Sequence, residues 1–345
     1  MEIVLFVEPL FKYSFNCKKI LDGLEQEIYK KRYKLIVDKP TNKKNAVCVI
    51  VADDKNWLNS KVQTLKHDYN KIISINNLHH DINVSNIISD YEIVIKDIFK
   101  KDLFSNSSVV LYGVDRMNFS DCNKEMHFCN NFPDGKVYYN DSNLLKLYDD
   151  FVKNLNDYTA VICTNDIIAT SFAYHLKKDN LLGEIPILSL DRYKLTSFLQ
   201  IPIQSIENDL FFLGAQAVSL ASYINKNLNN ASVTVKQNIC NNSNYEDSQK
   251  RTKYSKSFEY LVKEKDTSDI EERELIKIEI FLRSCDSLDL DILSYILQEK
   301  VSYSIISELL YITENTLKYR VKRMKERLGT VHKSEMIALL KKYFI

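Results

Sequence analysis

A chain of 345 residues, 45% apolar and 27% charged, is long enough for two globular domains and too apolar to be a disordered tail. With 47 basic and 46 acidic residues the formal charge is +1, so overall charge points to no class of partner. The six glycines stand more than twenty residues apart, which excludes the closely spaced glycines of Walker A, GxGxxG and GxSxG loops.

Seven cysteines, odd in number and without a CxxC, read as reduced and mostly buried thiols of a cytoplasmic protein. No apolar run reaches the roughly 18 residues of a membrane span. Glu2 and Glu8 bracket too short an apolar stretch for a signal peptide. His79 and His80 are adjacent, His67, His127, His175 and His332 are isolated, and HExxH is absent. Neither a metal, a cofactor nor a catalytic constellation is therefore expected.

In chain order, Ile3–Val7 reads as a strand and Phe15–Lys31 as a helix with Ile20, Leu21, Leu24 and Ile28 on one face. Tyr33–Asp38 and Ala46–Ala52 are strands, Trp57–Tyr69 a helix, and Lys71–Ile75 a strand. Ser85–Phe104 has helical spacing, and Val109–Val114 is a buried run. Beyond Pro133–Gly135 come the strand Val137–Tyr139, the helix Leu144–Leu155 and the strand Ala160–Thr164. The helix Ile167–Lys178 and the strand Ile185–Leu190 follow. Apolar strands alternating with helices predict parallel sheets covered on both faces, in two lobes. Asn241–Asp286 is polar, with a helix expected at Ile270–Arg283. Ser243–Gln298 holds nine basic and thirteen acidic residues, whereas from Lys300 onward ten basic face four acidic ones. The expected organisation is thus an α/β sensing domain over 1–241, an acidic, partly helical connector over 242–286, and an all-α domain over 287–345.

In the last stretch Ile305, Ile306, Leu309 and Leu310 place apolar residues on one side of a short helix, and Tyr311-Ile312 closes a turn. Thr313 is a good N-cap for a second helix, whose Leu317, Val321, Met324 and Leu328 recur at spacings of four, three and four. Lys318, Tyr319, Lys322 and Arg323 lie off that stripe. An exposed basic second helix is what a helix-turn-helix inserts into the major groove, although a solvated charged helix has the same composition. The pattern resembles the LuxR-type helix-turn-helix in Val301-Ser302, Ile306, Leu310, Ile312-Thr313, Thr316-Leu317-Lys318 and Arg327-Leu328-Gly329, followed by a fourth helix at Ser334–Tyr343. It departs at Lys300, Ile305, Ser307 and Arg320. The resemblance implies that double-stranded DNA is the partner. Lys318, Tyr319 and Lys322 would face bases; Thr313, Asn315, Arg320 and Arg323 would touch phosphates.

Upstream, Val161–Ala169 is a buried strand that ends in Asn165-Asp166 at the start of a helix, and Ile187–Arg192 is another strand, ending in Asp191. Residues at the carboxyl ends of parallel strands reach a ligand crevice, and they equally well cap the next helix or close a turn. The segments TNDIIA, IPILSLDRYKLTSFL, IPIQSIENDLFFLGAQAVSLASYI and ASVTVKQNI resemble, in order, the sensor domain of the LacI/GalR-type, periplasmic-binding-protein-like family. That resemblance implies a sugar-like effector hydrogen-bonded by Asn165 and Asp191. Lys124 stands near the family's usual Arg, and Asn76 or Asn77 at an upstream ligand position. The family's reader precedes its sensor; here the order is reversed. The expectation is a homodimeric, ligand-responsive transcription regulator that is not an enzyme. The alternative is a response regulator controlled by phosphorylation or protein contact, with Asp53-Asp54 as its acid pair and a non-functional pocket.

Overall fold

The computed structural model describes residues 1–38, 46–75, 84–92, 95–96, 108–199, 201–227, 229–236, 238–240, 267–298 and 301–343. Twelve strands among them form two six-stranded sheets. Lobe 1 takes β1 (Glu2–Val7), β2 (Lys34–Val37), β3 (Val47–Val51), β4 (Ile72–Ile75), β5 (Ser85–Asp90) and β11 (Ser232–Lys236). They lie in the order β11-β5-β4-β3-β1-β2, all parallel. Lobe 2 takes β6 (Val109–Val114), β7 (Lys136–Tyr139), β8 (Ala160–Cys163), β9 (Ile187–Ser189), β10 (Gln204–Glu207) and β12 (Asn238–Cys240). Its order is β12-β10-β9-β8-β6-β7, and β12 alone runs antiparallel. Ile3, Val4 and Leu5 are all buried because helices cover both faces, so these strands read as unbroken apolar runs.

Lobe 1 carries α1 (Phe15–Lys30) and α2 (Lys55–Leu65); lobe 2 carries α3 (Phe119–Asn131), α4 (Leu144–Val152), α5 (Asp166–Lys178) and the short α6 (Lys194–Phe198). The chain then returns to lobe 1 as α7 (Leu210–Lys226), which packs along α1. It therefore crosses between lobes three times: after β5, after β10 and between β11 and β12. The α1–α7 contact depends on two glycines. A Cβ at Gly23 would stand 1.9 Å from the carbonyl oxygen of Phe211, and one at Gly214 1.9 Å from that of Ile20.

Three features differ from the sequence-based expectation. Ser85–Asp90, expected to open a helix, is the strand β5. Its polar Ser85, Asn86 and Ser89 interrupt the apolar run and imitate amphipathic spacing, yet all three are buried in the sheet. Ser74 Oγ donates to Asn86 Oδ1 at 2.6 Å, which satisfies part of that burial. Helix α3 was not expected, because it buries Asp121, Asn123 and Lys124 rather than an apolar stripe. The expected closing strand ASVTVKQNI is divided between the two sheets as β11 and β12.

The C-terminal helices are α8 (Ile270–Ser284), α9 (Ser287–Leu297), α10 (Tyr303–Leu309), α11 (Glu314–Leu328) and α12 (Lys333–Tyr343). Residues 242–266 of the expected connector lie outside the described residues. Helix α8 lies on α5 and α6, and one apolar cluster runs from Phe172 and Leu176 of lobe 2 through Leu275, Ile278, Phe281 and Leu282 to Leu317, Val321 and Met324. The acids of α8 are docking groups. Glu279, 1% exposed, accepts the backbone N–H of Lys194 at 3.1 Å and of Leu195 at 2.8 Å, capping α6. Glu271 accepts from Ser171 and lies 2.9 Å from His175 Nε2, and Asp269 takes the N–H of Leu144 at 2.6 Å. Among the described residues no helix is long and apolar enough to cross a membrane.

Gly214→Ala should cost about 1–3 kcal/mol, because one helix must back away from a carbonyl it now touches. A urea titration followed by far-UV circular dichroism would show the midpoint falling; an unchanged midpoint would mean that α1 and α7 do not pack this closely.

Candidate functional site

The turn after β3 and the segment after β6 meet in the cleft between the lobes, where Asp54 and Asn118 form an antiparallel bridge. At the end of β1, Glu8 Oε2 accepts the N–H groups of Asp53 (2.7 Å) and Asp54 (2.8 Å), so it shapes the turn after β3. That turn meets the start of α3. Asn118 Nδ2 donates to Asp53 Oδ2 at 2.5 Å, the Phe119 N–H to the Asp53 carbonyl at 2.9 Å, and the Ser120 N–H to Asp53 Oδ1 at 3.4 Å. Asp53 and Asp54, the acid pair the response-regulator alternative would use, thus join the two lobes. Burial pushes the Asp53 carboxyl up to about 7, with Asp121 adding to the effect and Lys124 opposing it.

Deeper in the cleft Lys124, 1% exposed, is surrounded by oxygen. Its Nζ donates to Asp191 Oδ2 at 2.6 Å, the Thr164 carbonyl at 2.8 Å and Asp121 Oδ1 at 3.3 Å. Burial works against the ammonium, but Asp191, Tyr91 and Asp121 outweigh it and hold the Lys124 pKa well above its ordinary value. Asp191, just past β9, also accepts from Asn208 and, at 3.4 Å, from the Tyr91 hydroxyl. The structure therefore brings together two of the expected ligand residues, Lys124 and Asp191, as partners of each other.

Asn165 caps α5: its Oδ1 accepts the N–H of Ile167 at 3.0 Å and of Ile168 at 3.1 Å. Its neighbour Asp166 is fully buried and takes the Tyr193 N–H at 2.7 Å, Ser205 Oγ at 2.8 Å and the Thr196 hydroxyl, fastening β8, β10 and α6 together. Burial raises its carboxyl to about 6. Asn76 and Asn77 lie outside the described residues. Sequence reasoning missed Asp121, Asn208 and Tyr91, and weighed Asp53 only as half of a response regulator's acid pair. A signal existed for Asp53, an acid directly after a predicted strand. Among the described residues no group of three or more His, Cys, Asp and Glu side chains could hold a metal ion.

The second candidate surface is α11. Thr313 is its N-cap, accepting the Thr316 N–H at 3.1 Å, and Gly329 closes its end in the left-handed conformation with φ 65°. Leu317, Val321, Met324 and Leu328 are buried, while Asn315, Lys318, Tyr319, Lys322 and Arg323 are exposed on the outer face. Tyr311, in the turn before α11, has φ 53° and is 96% exposed. Arg320 stands apart from the exposed set. Its Nη1 lies 2.7 Å from Asp289 and 2.9 Å from Asp286, tying α11 to the start of α9, and Arg327 reaches Asp289 at 3.2 Å.

No protein-family model and no curated protein matches this chain. Solved structures do share its two-lobed fold. A LacI family transcriptional regulator, CCPA from Weissella paramesenteroides with bound sucrose, superposes with a TM-score of 0.53 at 14% identity over 69% of this chain and 97% of its own. A LacI family regulator from Bifidobacterium animalis subsp. lactis gives 0.56 at 11% identity over 70% and 96%. The lac repressor dimer bound to operator and an anti-inducer gives 0.55 at 11% over 70% and 92%. The sensor domains of LacI-family regulators and this chain thus have the same periplasmic-binding-protein-like architecture, to which a C-terminal helical region is added.

Asp191→Asn should destabilise the protein by about 3 kcal/mol, the low end for breaking a buried pair, since Asp121 remains beside Lys124. A thermal melt unchanged within error would refute the pairing. The Asp53 carboxyl rises from 3.8 to about 7 on folding, so the native state holds a proton that the unfolded chain has already lost. Its contribution is complete below about pH 4 and is lost as pH rises through 7. Thermal melts at pH 5.5 and 7.5 should show the wild type losing stability with rising pH and Asp53→Asn losing less; equal slopes would rule out this assignment.

Proposed function

We propose that the protein is a ligand-responsive transcription regulator of the cytoplasm. A small polar molecule, sugar-like in its hydrogen bonding, binds between the lobes, and α11 is the recognition helix of a LuxR-type helix-turn-helix on double-stranded DNA. The observation that carries this reading is the continuous apolar packing from lobe 2 through α8 to α11, on a fold shared with LacI-family sensors. A sensor packed rigidly against a helix with an exposed basic face has a direct mechanical route from one to the other. The fold neighbours support both halves: one holds sucrose, and another is a dimer on its operator.

Lys318, Tyr319 and Lys322 are assigned to base edges, with Thr313, Asn315 and Arg323 on flanking phosphates. Arg320 reaches a phosphate only by exchanging its pairing with Asp286 and Asp289, so its first role is to brace the recognition helix. One such helix covers too few base pairs to select a site alone, and the working form is a homodimer. Ligand acts by shifting the equilibrium between open and closed lobes, of which the closed form is held by Asp53 and α3.

Fragmented DNA from the protein's own source, incubated with it and sequenced after recovery, should be enriched in a short two-fold symmetric site. Lys318→Ala and Lys322→Ala should each weaken binding to that site by about 1–3 kcal/mol at fixed salt. Wild-type affinity in both variants would remove α11 from the interface.

A further inference from the structure

The acids at the start of α8 seat lobe 2, and the last turn of the same helix reaches lobe 1 through Arg283. The Arg283 guanidinium lies 4.5 Å from the centre of the Phe15 ring, and Phe15 is the first residue of α1. It also lies 5.6 Å from the centre of the Tyr193 ring, in the turn between β9 and α6 of lobe 2. One side chain, only 14% exposed, thus stands among lobe 1, lobe 2 and the C-terminal helices.

The charge of Arg283 is committed within the protein. Its Nε donates to Glu279 Oε1 at 2.5 Å, and the same carboxylate accepts the N–H groups of Lys194 and Leu195 at the start of α6. Tyr193, at the N-cap of α6, makes no side-chain capping bond, so the cap is supplied by α8 instead. A flat guanidinium suits this position, because its N–H edge meets a carboxylate while its face can lie against a ring. From α6 the chain leads straight back to the cleft. Asp166 takes the Tyr193 N–H at 2.7 Å and the Thr196 hydroxyl, and Asp191, two residues before Tyr193, is held by Lys124 at 2.6 Å.

We propose that the Glu279–Arg283 pair is the contact through which closure of lobe 1 is transmitted to the C-terminal helices. The proposal rests on the regulator reading given above and deepens it by naming the residues that carry the signal. With the lobes closed, Phe15 keeps water from the guanidinium and so strengthens its pairing with Glu279. When lobe 1 swings away, Phe15 leaves with α1, water reaches the pair, and the cap on α6 loosens. Glu279 is 1% exposed, and a carboxylate so buried depends on its cation and on both N–H donors. Helix α8 therefore shifts with the pair. The cluster that joins Phe281 and Leu282 to Leu317, Val321 and Met324 carries that shift to α11. The linkage is reciprocal, so whatever holds α8 in place also favours the closed lobes. Glu279 and Arg283 are positioning residues, acting through α6 and α11 rather than on ligand or DNA.

Hydrogen exchange of the full-length protein, read by mass spectrometry at fixed pH and temperature, tests the linkage from both ends. Phe15→Leu removes the ring but keeps an apolar side chain, and Phe15→Tyr keeps the ring. Phe15→Leu should speed exchange about fivefold in peptides covering Tyr193–Phe198 and Leu282–Cys285, and Phe15→Tyr should leave the wild-type rates. From the other end, Arg283→Gln should speed exchange in the first turn of α1 by a similar factor. Adding Phe15→Leu to Arg283→Gln should then change little, because the two residues act through one contact. Acceleration confined to α1 in Phe15→Leu, equal acceleration in Phe15→Tyr, or additive effects in the double variant overturns the proposal. Should Phe15→Leu fail to fold, unaltered exchange in α1 of Arg283→Gln overturns it by itself. The DNA selection described above is also run on Phe15→Leu. Unlinked exchange with the selection intact removes this route alone, whereas linked exchange with a blank selection removes the regulator reading alone.

Discussion

A lysine buried among oxygens governs this molecule. Lys124 can remain charged at 1% exposure only because Asp191, Asp121 and the Thr164 carbonyl meet it. Those three groups come from the end of β9, the first turn of α3 and the end of β8. An unpaired ammonium there would cost several kcal/mol, so the three elements cannot drift apart separately. Asp191 in turn gathers Asn208 and Tyr91, which stand at two of the crossings between the lobes. The electrostatics of one side chain thereby set the relative positions of the segments on which any hinge motion depends.

Much of the architecture was legible because parallel sheets covered on both faces need continuous apolar strands, and β1, β3, β6 and β8 have them. The places where reading failed are those where polar residues are buried on purpose. Ser85, Asn86 and Ser89 made β5 look amphipathic, and α3 concealed itself by turning Asp121, Asn123 and Lys124 inward. No periodicity of apolar residues marks such elements, because their partners lie in distant parts of the chain. The cleft residues were legible in part. Asp191 and Lys124 were singled out, but that they bind each other depends on a contact 67 positions apart in sequence. Asn165 is engaged at the end of α5, which is one of the two roles its position allowed.

The C-terminal helices show the opposite case. The spacing of Leu317, Val321, Met324 and Leu328 identifies the buried side of α11 directly, since a helix of that length needs one apolar stripe and has only one. What spacing could not reveal is the purpose of the acids before it. A run rich in Glu and Asp reads as a solvated spacer, yet Asp269, Glu271 and Glu279 each seat a donor of lobe 2. Arg320 is similar. Its charge is spent within the helical region on Asp286 and Asp289, which no count of basic residues distinguishes from the exposed charges of Lys322 and Arg323.

The apolar cluster that runs from lobe 2 into α11 also determines how the chain comes apart. Phe172, Phe281, Leu282 and Met324 belong to one body of packed side chains, while the core of lobe 1 built on Ile3, Leu24 and Leu213 is another. Cooperative melting follows cores, so lobe 2 and the C-terminal helices should melt as one unit and lobe 1 as a second. A molecule that binds lobe 2 alone therefore protects the C-terminal helices from unfolding by mass action on a shared equilibrium, with no displacement of any atom in α11.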